Sequence, residues 1–155
     1  MGLSMGGLTT YYLTLTHAHL FSGAILLAPA LKNIASFLEV QTVFLLKAIM
    51  PEQTRMVEPT GGVGSRNPKI DVKRFKDPLV NKRKHCVKSV HFLFNAMERC
   101  KETFKNYKCP FLAVQGGIDK LIHPMGVFDL FEQSPLGEQE KDIMFIEHMW
   151  HDLWH

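Results

Sequence analysis

The sequence is poor in three things: cysteine, charge of one sign, and long apolar runs. Three of its 155 residues are cysteines, an odd number without zinc-finger or CxxC spacing. This pattern predicts free thiols and a reducing compartment for Cys86, Cys100 and Cys109. The longest nearly apolar run, residues 23–31, is far shorter than the roughly 18 residues of a membrane-spanning helix. No basic segment precedes an apolar one at the start, so we expect neither a membrane span nor a signal peptide.

The charge balance argues against a nucleic-acid partner. The chain has 18 Lys and Arg against 15 Asp and Glu, which leaves +3 when the histidines are neutral. Basic residues are concentrated at 69–84, where seven Lys or Arg stand with two Asp and no nucleic-acid motif accompanies them. We interpret this segment as solvated surface and expect no binding to nucleic acid.

Apolar periodicity predicts alternating helices and strands in one domain. A hydrophobic fraction of 46% over 155 residues is ordinary for a single folded core. The patterns predict helices at 6–16, 31–50, 86–104 and 125–133, and buried strands at 23–29, 110–115 and 142–146. Residues 51–68, with three prolines and three glycines, are predicted to be an extended connection. Strand, helix and strand in succession predict an α/β fold with a crevice at the carboxyl ends of its strands.

Residues 2–6, Gly-Leu-Ser-Met-Gly, match G-x-S-x-G, the pattern of a nucleophilic serine on a strained turn between a strand and a helix. The pattern has a steric cause, because small flanking residues let the backbone bend tightly. The predicted helix at 6–16 would follow the turn, and its amino end favours a developing negative charge. We expect no strand before the turn within this chain, and we take Ser4 as the candidate nucleophile.

A serine nucleophile needs a neutral base and an acid that fixes the tautomer of that base, and in this fold they follow in the order Ser, Asp or Glu, His. Asp119 comes after the predicted strand at 110–115, and His151 after the one at 142–146. Because parallel strands end at one edge, we expect Ser4, Asp119 and His151 to lie there together. Taken alone, an aspartate after two glycines is more typical of a turn.

The histidines near the end suggest a rival interpretation. His151 and His155 stand four residues apart, a spacing at which two helical histidines can bind zinc. No glutamate completes an H-E-x-x-H pattern, and one short segment would have to supply most of the ligands. We therefore expect no metal site, and we interpret His148 and His155 as polar surface or supporting residues.

Several blocks, in order, give the chain a family resemblance. They are Gly-Leu-Ser-Met-Gly-Gly at 2–7, Ala28-Pro29, Ser65-Arg66-Asn67-Pro68, Asp77-Pro78-Leu79, Gln115-Gly116-Gly117-Ile118-Asp119 and Glu147-His148-Met149-Trp150-His151. With these blocks the sequence resembles the α/β-hydrolases of the monoglyceride lipase and serine aminopeptidase S33 type. The resemblance runs along nearly the whole chain, from the serine turn to the histidine loop.

The resemblance implies a partial α/β-hydrolase fold: the C-terminal part of a mostly parallel sheet with flanking helices and a helical cap inserted at about 31–108. Carried over by position, Ser4 would be the nucleophile, Asp119 the acid and His151 the base. The backbone N–H of Met5 would supply half of the oxyanion hole. No metal or organic cofactor is implied. His148 stands where the family usually has glycine, which bears on the conformation of the histidine loop.

The activity implied by the resemblance is hydrolysis of carboxylic esters, above all lipid esters such as monoacylglycerols, through an acyl-enzyme. Apolar cap residues, among them Phe37, Phe44, Phe92 and Phe94, would suit an acyl chain. The alternative is a catalytically inactive, truncated hydrolase that only binds lipid or a protein partner. Its basis is that the family's central strands and His-Gly oxyanion loop precede the serine turn, and the chain begins one residue before that turn. We expect a cytoplasmic protein, and whether it also touches membranes peripherally through the cap stays open.

Overall fold

The computed structural model describes residues 1–50 and 64–154, together with the backbone of residues 55–57. In chain order the strands are β1 Gly2–Leu3, β2 Ala24–Leu27, β3 Arg55–Val57, β4 His85–Cys86, β5 Phe111–Gly116 and β6 Lys141–Ile146. The helices are α1 Met5–Thr16, α2 Phe37–Ile49, α3 Pro68–Lys76, α4 Val87–Thr103 and α5 Met125–Gln133. Helices and strands therefore alternate along most of the described chain.

A parallel sheet in the order β1-β2-β5-β6 forms the centre of the fold. Each of its three pairings is parallel, so the four strands end at the same edge of the sheet. The apolar runs predicted as strands are confirmed as β2, β5 and β6, with ends shifted by at most two residues. The expectation that no strand precedes Ser4 is wrong, because the two residues of β1 pair with Leu26 and Leu27 of β2.

The helix predicted at 31–50 starts later than its apolar periodicity indicates. It begins at Phe37, because Ser36 closes its amino end with a reciprocal capping box. The Ser36 Oγ accepts the backbone N–H of Glu39 at 3.3 Å, and the backbone N–H of Ser36 donates to Glu39 Oε2 at 2.7 Å. The helices predicted at 6–16, 86–104 and 125–133 are confirmed to within one residue as α1, α4 and α5.

The core lies between the sheet and the helices α1 and α4. Tyr11 of α1 is fully buried and stacks on Tyr107, with ring centroids 4.8 Å apart. Its hydroxyl donates to the carbonyl of Cys100 at 3.3 Å. Met97 and Cys100 of α4 are buried, and burial raises the pKa of the Cys100 thiol to about 12. The carboxyl half of α4 is thereby fixed against α1. None of the three cysteines, Cys86, Cys100 and Cys109, forms a disulfide.

Helix α2, which lies in the predicted cap, is more exposed than the core. Helix α2 contacts α4 but has no buried side chain, and Phe37 and Leu38 are each 75% exposed. The predicted extended connection at 51–68 falls largely outside the described residues. In its described part the backbone of β3 pairs antiparallel with β4. The seven basic residues of the segment at 69–84 are exposed, as expected for a solvated surface, and the absence of a nucleic-acid partner stays a prediction.

In the described part of the chain, no helix combines the length and apolar character needed to cross a membrane.

Candidate active site

Ser4 occupies a strained turn between β1 and α1. Its backbone has φ 55° and ψ −119°, a positive φ that non-glycine residues adopt at a cost of about 1–3 kcal/mol. Three backbone hydrogen bonds maintain this conformation. The N–H of Ser4 donates to the carbonyl of Leu27 at 2.9 Å, and its own carbonyl accepts the N–H groups of Leu8 at 3.1 Å and Ala30 at 3.0 Å. The predicted serine turn is thus present, and the contacts that stabilise it come from the first 30 residues.

The glycines around Ser4 are not equivalent. A Cβ on Gly2 would overlap the carbonyl oxygen of Gly6 and the hydroxyl of Thr10, so this position tolerates only glycine. A Cβ on Gly7 would lie 2.8 Å from the Cα of Pro29. A Cβ on Gly6 would meet no atom within 4 Å. The expectation that both glycines of the pentapeptide are needed sterically is therefore wrong for Gly6. The residue whose backbone packs closely against Pro29 is Gly7.

Met5 is the first residue of α1, immediately after the candidate nucleophile. The first N–H groups of a helix have no acceptor within that helix, and the positive end of the helix dipole lies with them. The N–H of Met5 is therefore suited to an oxyanion that develops beside Ser4, as the resemblance implies. That role for Met5 stays a prediction.

Asp119 lies just after β5, is only 4% exposed, and has both carboxylate oxygens saturated with hydrogen bonds. Oδ1 accepts the backbone N–H groups of Leu121 at 2.8 Å and Ile122 at 3.0 Å. Oδ2 accepts the side-chain amide of Gln115 at 3.1 Å and the ring of His151 at 2.7 Å. Burial raises the pKa of Asp119, but the hydrogen bonds from His151, Ile122 and Leu121 outweigh it and hold the pKa below its usual value.

His151 follows β6 and points its Nδ1 at the carboxylate of Asp119. The Nδ1–H donates to Oδ2 at 2.7 Å, and the histidine is only 8% exposed. This contact fixes the tautomer that leaves the lone pair on Nε2, the nitrogen able to accept a proton. The structure therefore joins two of the three predicted site residues. Ser4 shares their edge of the sheet, and among the described residues its hydroxyl makes no hydrogen bond to His151.

Contacts that the sequence did not reveal hold the loop around His151. Arg66 donates from Nη1 to the carbonyl of His148 at 3.0 Å, and the N–H of Asp152 donates to the carbonyl of Gly64 at 2.7 Å. The only signal in the sequence was the block at 65–68, to which the resemblance gave no role. The side chain of His148 is exposed, as expected, and the residue contributes to this contact only through its backbone carbonyl.

From the other side, the loop after β5 approaches the histidine loop closely. A Cβ on Gly117 would lie 2.6 Å from the carbonyl oxygen of Glu147. Lys120 Nζ lies 3.9 Å from the ring centroid of Trp150, a cation–π contact next to His151. Glycine at 117 is thus required by the contact between these two loops.

The described part of the chain contains no cluster of side chains that would support the rival zinc interpretation. Within residues 1–50 and 64–154, no group of three His, Cys, Asp or Glu side chains could hold a metal ion. His155 lies outside the described residues.

Comparison with known proteins defines the family. A family model described as "Serine aminopeptidase, S33" matches residues 1–155. The chain belongs to this family. Monoglyceride lipase of Mus musculus is 32% identical over 157 residues, a match that covers 99% of this chain and 50% of the mouse protein. Monoglyceride lipase of Rattus norvegicus is 32% identical over 160 residues, with the same coverage. The chain spans about half the length of these curated relatives.

Solved structures agree with this membership. The monoacylglycerol lipase of Paleococcus ferrophilus superimposes with a TM-score of 0.85 at 28% identity, covering 99% of this chain and 60% of that one. A soluble variant of the monoglyceride lipase of Saccharomyces cerevisiae gives a TM-score of 0.81 at 16% identity, covering 97% of this chain and 55% of that one, a likeness of fold alone. The predicted α/β-hydrolase fold, with a parallel sheet and flanking helices, is confirmed for the part of the fold that this chain spans.

Proposed function

We propose that this protein is a serine hydrolase that cleaves carboxylic esters of lipids, such as monoacylglycerols, through an acyl-enzyme. The observation that carries the proposal is the buried hydrogen bond from His151 Nδ1 to Asp119 Oδ2. It lies at the edge of the sheet where the parallel strands end, and Ser4 follows strand β1 at the same edge. A carboxylate, an imidazole and a strained serine at one edge are the parts that acyl transfer requires. The names of the mouse and rat relatives support a monoacylglycerol as the substrate.

In the first half of the reaction, the Oγ of Ser4 attacks the ester carbonyl carbon while Nε2 of His151 takes the hydroxyl proton. The carbonyl oxygen becomes an oxyanion that the N–H of Met5 stabilises. The carbon–oxygen bond to the alcohol then breaks, and His151 Nε2 gives its proton to the leaving oxygen. The products of this half are a free alcohol and an acyl group esterified to Ser4.

In the second half, water attacks the acyl-enzyme and gives a proton to His151 Nε2. The bond between Oγ and the acyl carbon breaks, Oγ takes the proton back, and a fatty acid is released. Throughout, Asp119 stays ionised and stabilises the imidazolium, which its lowered pKa allows.

We further propose that residues 31–108 form a cap that binds the acyl chain. Its support is the apolar surface of α2 and α4, where Phe37 is 75% exposed and Phe92 is 53% exposed. Phe44 and Phe94 are half-buried, and Phe44 packs against the ring of His91 at 4.4 Å between centroids. Exposed apolar side chains of this kind suit an acyl chain or the surface of a lipid aggregate.

The test is covalent labelling with a fluorophosphonate, combined with release of fatty acid from a monoacylglycerol. We expect the chain to carry one label on Ser4 and to hydrolyse the lipid, and Ser4→Ala to lose both. Ser22→Ala is the matched control, because Ser22 is exposed and precedes β2 at the opposite edge of the sheet. A folded chain that binds the lipid but neither labels nor hydrolyses would contradict the proposal and favour the inactive, lipid-binding alternative.

A further inference from the structure

The side chain of Gln115 is buried against the carboxylate of Asp119. Gln115 is the last but one residue of β5 and is only 1% exposed. Its Nε2 donates to Asp119 Oδ2 at 3.1 Å and to the carbonyl of Gly116 at 3.2 Å. Oδ2 is the same oxygen that accepts the Nδ1–H of His151. A side-chain amide and an imidazole therefore share one carboxylate oxygen.

The orientation of this amide follows from its surroundings. Both acceptors that face it, Asp119 Oδ2 and the carbonyl of Gly116, would repel an amide oxygen, so the NH₂ group has to point at them. Its own Oε1 is buried and has no hydrogen-bond partner. A buried acceptor without a partner is costly, so an apolar side chain of similar shape would serve packing better. This arrangement indicates a role for Gln115 beyond packing.

We propose that Gln115 is a positioning residue that withdraws negative charge from Asp119 Oδ2 and so limits the strength of its hydrogen bond to His151. This inference rests on the proposed function for its catalytic meaning. The physical basis is that two donors on one oxygen share its charge, and each hydrogen bond is weaker than it would be alone. The other oxygen is anchored by the N–H groups of Leu121 and Ile122, so the carboxylate keeps its place when Gln115 is changed.

Two substitutions test this role in the full chain. Gln115→Met keeps the length of the side chain without a donor, and Gln115→Asn keeps an amide that is one methylene too short to reach. In both we expect the hydrogen bond from His151 to strengthen, so that its Nδ1–H proton resonance moves downfield in the NMR spectrum. His151→Gln identifies the resonance by removing it. This readout requires no activity.

The kinetic counterpart is the pH profile of ester hydrolysis. We expect the acidic limb of kcat/KM to move up by about half a pH unit in both variants, with KM unchanged. At pH values below that limb, kcat/KM of both variants should then be about threefold lower than that of the unmodified chain, as a shift of half a pH unit implies. If the unmodified chain proves inactive, the proposed function fails while the NMR experiment still tests Gln115.

The matched control is Thr14→Val. Thr14 is also buried, at 2% exposed, and its hydroxyl forms a 2.6 Å hydrogen bond with the hydroxyl of Tyr107 in the core. This variant loses a buried hydrogen bond without touching Asp119, so the resonance and the acidic limb should stay in place. An unmoved or upfield resonance in the Gln115 variants would overturn the proposal. So would an equal movement in Thr14→Val, or the failure of both Gln115 variants to fold, which would make Gln115 a packing residue only.

Discussion

The N–H of Asp152 donates to the carbonyl of Gly64 at 2.7 Å, which ties the residue after His151 to a segment far away in the sequence. Two residues after Gly64, the Nη1 of Arg66 donates to the carbonyl of His148 at 3.0 Å. Residues 64–66, which lie within the predicted cap, therefore form hydrogen bonds to the histidine loop on both sides of His151. We expect a change in this segment to reach the proposed base through these two hydrogen bonds, of which one is made by the side chain of Arg66 and the other by the backbone of Gly64.

Removing the arginine contact should loosen the loop without unfolding the protein. For Arg66→Ala we expect kcat/KM to fall about two- to tenfold, the equivalent of about 0.4–1.4 kcal/mol, because the hydrogen bond that is lost is exposed to solvent. Hydrogen exchange at residues 148–152 should accelerate. Arg83→Ala is the control, because Arg83 is exposed and its side chain makes no contact in the described structure with the histidine loop. Equal effects of the two substitutions would contradict a specific role for Arg66.

Neutralising the proposed acid should disable the base. In Asp119→Asn the side-chain amide can present its NH₂ to His151 and stabilise the wrong tautomer, so we expect kcat to fall by about 10⁴-fold. The measurement is ester hydrolysis at saturating substrate. Asp142→Asn is the matched control, since Asp142 is exposed and, in the described part of the chain, its carboxylate accepts only the neighbouring N–H of Ile143. Retention of more than a tenth of the activity in Asp119→Asn would exclude the proposed role.

The same carboxylate makes stability depend on pH. Because the pKa of Asp119 is lower in the folded chain than its ordinary value of 3.8, its contribution to stability is complete above that value. The contribution disappears as the pH falls through the folded-state pKa. We expect the difference in free energy of unfolding between the unmodified chain and Asp119→Asn to shrink below pH 3.8. Urea unfolding at several pH values measures it, and a difference independent of pH in that range would be inconsistent with the lowered pKa.

The two glycines that follow Ser4 should respond differently to alanine. Gly7→Ala places a Cβ 2.8 Å from the backbone of Pro29, which has no flexible end to move aside, and we expect it to destabilise the fold by about 1–3 kcal/mol. Gly6→Ala points into open space within α1 and should change stability by less than about 0.5 kcal/mol. Urea denaturation of both variants gives the comparison. A larger loss in Gly6→Ala than in Gly7→Ala would refute the packing argument.

The sequence predicted those parts of the structure that depend on short-range patterns. The strands β2, β5 and β6 followed from apolar runs, and the serine turn followed from five residues. The start of α2 was placed too early because apolar periodicity ignores the capping box between Ser36 and Glu39. The contact between Arg66 and His148 joins residues 82 apart, and no local pattern encodes such a contact. Gln115 sat in a block that the resemblance had marked, but its bond to Asp119 appears only in three dimensions.

The strained turn at Ser4 draws its stabilising hydrogen bonds from Leu8, Leu27 and Ala30. The histidine loop is held instead by Gly64, Arg66 and Asp119, which come from distant segments. We therefore expect the regions of the proposed nucleophile and the proposed base to have different opening free energies. On gentle warming we expect the histidine loop to exchange its amide protons first while the turn at Ser4 stays protected. Thermal inactivation of this protein would then begin as a loss of proton transfer, with the geometry of the nucleophile still intact.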